Sequence, residues 1–245
     1  MNQTSNLLDE ALGLGDPCCA GALSPERIVL IEDCVETSGA FVLHHLVKRA
    51  LSPVGGVVLF LALAHPFTHY DRILKKLGCN LSIQKDNNRL YFLDMLGIEF
   101  PDEMQWDAIE DGLVKMYSKI QGAIEGCSSS DQSCGHISIV IDDLSILEIA
   151  ARGSVNHDCS LVILNHEDIY QDKEAPKLLS HLLYLAHFIV KAEPLVTGLA
   201  VDVHGQLTIL KKGNIQNNIY TERARNFHFQ VKENGVELFL PGSRC

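Results

Sequence analysis

Compact apolar runs alternate with segments of helical period along the first two thirds of the chain. Residues 27–31 (RIVLI) read as a buried strand, and residues 38–51 follow with Phe41, Val42, Leu43, Leu46 and Val47 on one helical face. Pro53 and Gly55-Gly56 end that helix. Residues 57–64 (VVLFLALA) form a wholly apolar run, as in the middle of a parallel sheet. Pro66 opens a helix with Tyr70, Ile73, Leu74 and Leu77 on one side, and Gly78 stops it. Strands are expected at 89–96, 136–142, 159–165 and 186–191, and helices at 107–124, 144–151 and 175–183. The last quarter changes period. Residues 201–210 alternate around His204-Gly205, and 227–240 alternate around Asn234-Gly235, so two hairpins are expected. The pattern predicts an α/β fold: a twisted, mostly parallel sheet with helices on both faces and antiparallel hairpins at the C-terminal end. Residues 1–26 read as a loosely ordered lead-in, and 27–245 as a single domain.

Composition narrows the function classes. The 245 residues are 47% hydrophobic and 21% charged, an ordinary globular balance. Twenty Lys and Arg stand against 31 Asp and Glu, a net charge of -11, so the chain alone is a poor general binder of nucleic acid or anionic membrane. Its longest apolar run, 57–64, is well short of the roughly twenty residues of a spanning helix, and residues 1–14 carry Asp9 and Glu10 rather than a signal pattern. The chain is therefore expected to be soluble and intracellular. Eight cysteines without a C-x-x-C are expected to be reduced. Cys127, Cys134 and His136 come nearest to a metal set but lack a fourth ligand, and no metal or other cofactor is expected.

The first strand-to-helix turn is where such a sheet would hold phosphate. Here it reads Glu32-Asp33-Cys34-Val35-Glu36-Thr37-Ser38-Gly39-Ala40. On the frame G-x-x-x-x-G-K-[ST], Asp33 stands at the first Gly, Ser38 at the second, Gly39 at the Lys and Ala40 at the hydroxyl residue. The length fits and the chemistry does not. Glu32, Asp33 and Glu36, with Asp142 and Asp143 at the end of the fourth strand, would repel a triphosphate. A like-charge pair about 4 Å apart at a surface costs roughly 4 kcal/mol before salt screening.

Several stretches, in order, resemble one family. They are Phe41-Val42-Leu43-His44-His45, Phe67-Thr68-His69-Tyr70, Lys76-Leu77-Gly78, Val140-Ile141-Asp142-Asp143-Leu144-Ser145, Gly198-Leu199-Ala200 and Asp202-Val203-His204-Gly205-Gln206-Leu207. Over residues 27–240 the chain is similar to the family of Elongator subunit six. That resemblance implies a RecA-like ATPase fold that has lost its catalytic motif. It implies a heterohexameric ring with subunits four and five that binds tRNA and joins a catalytic subcomplex modifying wobble uridines at C5. It also implies a place in cytoplasm and nucleus. The competing readings are a stand-alone RecA-like nucleotide-binding protein, and an α/β enzyme using Cys34 or the pair Asp202 and His204. The first lacks its Lys and hydroxyl, and the second lacks a G-x-S-x-G turn.

Candidate site residues follow. Lys211 and Lys212 end the strand after His204-Gly205, where ring ATPases of this fold place a basic pair that reaches a neighbour's nucleotide. Arg152 and His157 lie in a loop that would face RNA. His44 and His45 are adjacent on the first long helix, so one is expected to face the core and the other a ring neighbour. Cys34, at that helix's start, is read as a passive small residue, because Glu32, Asp33 and Glu36 oppose thiolate formation.

Overall fold

The computed structural model describes residues 7–14, 27–52, 56–96, 118–124, 136–144, 159–170, 177–196, 198, 200, 202–212 and 223–243. Nine strands form one sheet: β1 (Ile28–Asp33), β2 (Val57–Ala62), β3 (Leu90–Asp94), β4 (Ile137–Ile141), β5 (Cys159–His166), β6 (Phe188–Glu193), β7 (Gly205–Lys211), β8 (Arg223–Lys232) and β9 (Gly235–Phe239). Their order is β3-β2-β4-β5-β1-β6-β7-β8-β9. The first six in this order pair in parallel, and β6 through β9 pair antiparallel. The mixed sheet expected from the change of period is therefore present, and every expected strand span overlaps one of these strands.

Alternation within strands makes two cores. On one face Val29, Ile31, Val58, Phe60, Val140, Val162, Phe188 and Val190 pack with the helices α1 (Leu7–Ala11), α2 (Ala40–Ala50), α3 (Phe67–Lys76) and α4 (Leu81–Asp86). On the other face Leu30, Ile163 and Ile189 meet Leu144, just after β4, and Leu179 of α5 (Lys177–Leu185), while Leu59, Leu61 and Ile139 meet a helical stretch over 118–124. That stretch is the described part of the helix expected at 107–124. The short α4 was not anticipated; Asn80 caps it, its side chain accepting the Ile83 amide at 3.2 Å.

Two expectations change. The lead-in is not loose over its described part. Leu8, Leu12 and Leu14 are buried to 3% exposure or less. Asp9 pairs with His45 at 2.7 Å and Arg49 at 3.5 Å, Glu10 pairs with Arg225 at 3.3 Å, and Arg27 and Arg49 donate to the Leu12 and Leu14 carbonyls. The apolar stripe Leu8-Leu12 supplies the reason: it buries a hydrophobic edge that α2 and the C-terminal strands leave open. Second, His204-Gly205 is not a turn. Gly205 opens β7, whose partner strand is β6, with Glu193 opposite Gln206. A Cβ on Gly205 would fall 2.7 Å from the Glu193 carbonyl, 2.8 Å from Thr37 Cγ2 and 2.9 Å from Phe229 Cε1, so the position demands glycine for close approach. His204 accepts the Val231 amide through Nδ1 at 2.9 Å, which gives the His-Gly pair a structural task.

Leu12 is fully buried. Leu12→Ala should lower unfolding free energy by about 2–5 kcal/mol, as removal of any core leucine does. A dangling lead-in would give no change in urea denaturation.

Candidate functional site: the carboxyl edge of the parallel strands

In a parallel sheet the ends of β1, β4 and β5 define the ligand crevice. Four carboxylates of this edge, Glu32, Asp33, Asp142 and Asp143, are buried, while Glu36 is exposed. They do not form the outward anionic wall that their sequence suggested. Asp33 turns inward: Oδ2 accepts the Gly39 amide at 2.7 Å, and Oδ1 meets His166 Nδ1 at 2.5 Å. That bond to Asp33 holds the His166 imidazole above its ordinary pKa, against the opposing effect of burial. Asp33 thus takes an amide at the start of α2 that a phosphate would otherwise claim.

Several other amides of the turn are paired too. Cys34 and Thr37 exchange both backbone bonds, at 3.5 and 3.0 Å. The Val35 amide goes to Asp168 Oδ2 at 2.8 Å, and the Ala40 amide to Ser38 Oγ at 3.2 Å. So Cys34, Val35, Thr37, Gly39 and Ala40 all have partners inside the chain. Cys34 closes a tight turn with its backbone.

Asp142, at the end of β4, is a clamp. It accepts the Leu63 amide at 2.6 Å, the Ala64 amide at 3.2 Å and the Tyr70 hydroxyl at 2.6 Å. Burial pushes its carboxyl up, and these donors work against that. Burial and the Asp142 charge raise the Tyr70 phenol, so it stays a donor. Glu32 is likewise raised by burial and offset by Lys191, 3.1 Å away. Among the described residues no three of His, Cys, Asp or Glu converge to hold a metal ion, and no helix is long and apolar enough to cross a membrane.

The expected basic pair separates. β7 runs against β6, so Lys211 lies opposite Phe188 at the amino edge of the parallel strands, away from the β1 turn. Lys212 donates to the Leu183 carbonyl near the end of α5. Lys211 is exposed, its Nζ 5.7 Å over the Phe188 ring, with Arg27 over the same ring at 5.5 Å. Arg223 stands directly across from Lys211 in β8. Sequence reasoning missed Arg223, because only the register of two strands ten or more residues apart brings it there. Arg152 and His157 lie outside the described residues.

The two helix histidines resolve. His44 is 8% exposed and sits edge-on to Tyr70 at 5.9 Å, whereas His45 faces Asp9 of its own chain. Burial, with His69 and His65 nearby, lowers His44 from 6.5 to about 4.

A sheet of this order with helices on both faces, and a strand-to-helix turn where phosphate would sit, defines a RecA-like ATPase fold. Solved structures agree. The flagellar accessory protein FlaH of Methanocaldococcus jannaschii superimposes with a TM-score of 0.61 at 14% identity, covering 98% of this chain and 97% of that one. A KaiC-like protein of Pyrococcus horikoshii gives 0.56 at 8% identity, covering 88% and 90%. The family model described as Elongation complex protein 6 matches residues 17–233, and the chain belongs to that family. Elongator complex protein 6 of Homo sapiens is 27% identical over 243 residues, covering 88% of this chain and 91% of that protein. The Xenopus laevis protein of that name is 29% identical over 235 residues, covering 82% and 88%.

Asp142→Ala strands two amides and a phenol inside the protein and should cost about 3–5 kcal/mol, more than Tyr70→Phe, which removes one bond to a charged acceptor at about 1.5–3 kcal/mol. Equal losses in chemical denaturation would refute the clamp. For His44, the unfolded chain binds a proton below about 6.5 that the fold refuses until about 4. Stability is therefore full above that window and declines as pH falls through it, by about 3 kcal/mol in all. His44→Leu should remove this part of the slope when unfolding curves at about pH 7 and pH 4.5 are compared with the parent.

Proposed function

We propose that the protein is a non-catalytic member of a heterohexameric ring with Elongator subunits four and five, in cytoplasm and nucleus. The ring binds tRNA and supports C5 modification of wobble uridines by the catalytic subcomplex. Family membership supports the complex. The observation that carries the non-catalytic part is Asp33 bound to the Gly39 amide, where a nucleotide phosphate would need that donor. What this edge offers instead is surface. Val35 in the turn is 88% exposed, Ile169 after β5 is 57% exposed, and Val196 after β6 is 94% exposed. Exposed aliphatic groups at three neighbouring strand ends suit contact with another subunit. At the opposite edge, Lys211 with Arg223 suits a neighbour's phosphates, with Lys212 occupied at α5.

Reconstitution tests this reading. The chain mixed with subunits four and five should give a six-subunit mass by native mass spectrometry, and Val35→Glu should prevent it while leaving the isolated chain folded. In the assembly, Lys211→Ala with Arg223→Ala should lower ATP turnover about tenfold or more. Magnesium-dependent nucleotide turnover by the isolated chain would instead establish the stand-alone nucleotide-binding protein.

A further inference from the structure

The outer face of α3 is unlike the rest of this acidic chain. Tyr70 and Leu74 are buried, while His65, Thr68, His69, Arg72, Lys75 and Lys76 are exposed. Positions 69, 72 and 76 follow a helical spacing of three and four, so they line one stripe, and His65, just before the helix, packs on His69 at its head. From His69 to Lys76 that stripe runs about 10 Å along the axis. Between residues 65 and 89 there are five Lys or Arg (72, 75, 76, 85 and 89) and two Asp (71 and 86), against a net charge of -11 for the whole chain. Among the described residues, no carboxylate lies within ion-pair distance of Arg72, Lys75 or Lys76.

Helix electrostatics account for only part of this. Cations suit a helix C-terminus, which explains Lys75 and Lys76 in the last turn. Arg72, in the middle of α3, gains little from the dipole. At the head of the stripe the His65 and His69 rings lie 4.1 Å apart at 32°, both exposed. Flat rings at one end of a cationic track are the two parts that single-stranded nucleic acid uses: a platform for a base and charges for the backbone. An acidic peptide would use the charges and leave the rings idle.

We infer that this face of α3 binds single-stranded RNA, with Arg72 and Lys76 on phosphates and the His65–His69 pair against a base. The choice of RNA rests on the tRNA reading above; the surface itself rests on the stripe.

The test has two arms. In the first, the full-length chain is titrated with a fluorescent oligouridylate of about 12 nucleotides. Arg72→Ala with Lys76→Ala should weaken binding about tenfold and flatten the log-affinity against log-salt slope by about 1.4, which is two single-strand phosphate contacts. His65→Ala with His69→Ala should weaken binding about tenfold with little change in that slope, and His65→Phe with His69→Phe should restore it. All these positions are exposed, so thermal melts should be unchanged. In the second arm, the same variants enter the assembly with subunits four and five, and tRNA binding is measured. Loss in both arms supports the inference. Undiminished tRNA binding by variant assemblies overturns the stripe and leaves the ring reading intact. Oligouridylate binding that depends on the stripe, with no tRNA binding by the parent assembly, overturns the ring reading alone. Absence of binding in both arms overturns both. Polyglutamate binding as tight as oligouridylate, and indifferent to the histidines, assigns the face to an acidic protein and overturns the RNA inference.

Discussion

Asp33 is 2% exposed at the end of a central strand, and a carboxylate there must find donors inside the protein. It finds the Gly39 amide and the His166 ring. Everything distinctive about the edge follows from that need. The strand end is pinned to the start of α2, the turn between them shortens into the Cys34–Thr37 bridge, and the valine in the turn points out to solvent. Here a carboxylate of the chain itself accepts the Gly39 amide.

Asp142 extends the same logic to the next strands. A carboxylate at the end of β4 would sit near a metal in a nucleotide site. Instead it fastens the turn after β2 and fixes Tyr70, whose ring packs on Phe60 at 4.6 Å and edge-on to His44. Acidic residues that would repel a ligand from the surface have become internal fasteners. The hold of Asp33 and Asp142 on these amides is a matter of buried geometry, which salt screens little.

The sheet was legible because strand period and apolar runs are local. Parallel pairing of β1 through β6 followed from fully apolar strands such as Val57–Ala62, and the antiparallel end from alternation around Asn234-Gly235. The missing Lys and hydroxyl of the phosphate turn were legible too, since they are matters of residue identity. The inward direction of Asp33 and Asp142 was not, because a sequence names acids without saying which way a strand end faces. Gly205 looked like a turn because a glycine needed for close approach has the same letter as one needed for its backbone angles. Lys211 and Lys212 looked like a pair, but one residue of chain rotates them to different faces, and the true neighbour of Lys211 is Arg223. The packing of residues 7–14 was not legible, because their ionic partners, His45, Arg49 and Arg225, lie as many as 215 residues away.

That last distance bears on how the chain matures. α1 docks against β9 and Arg225, which are made long after it. Its apolar stripe therefore stays uncovered until they emerge, and closing this contact is a high-contact-order step. Cutting away residues 7–14 would bare the flank that those leucines now seal.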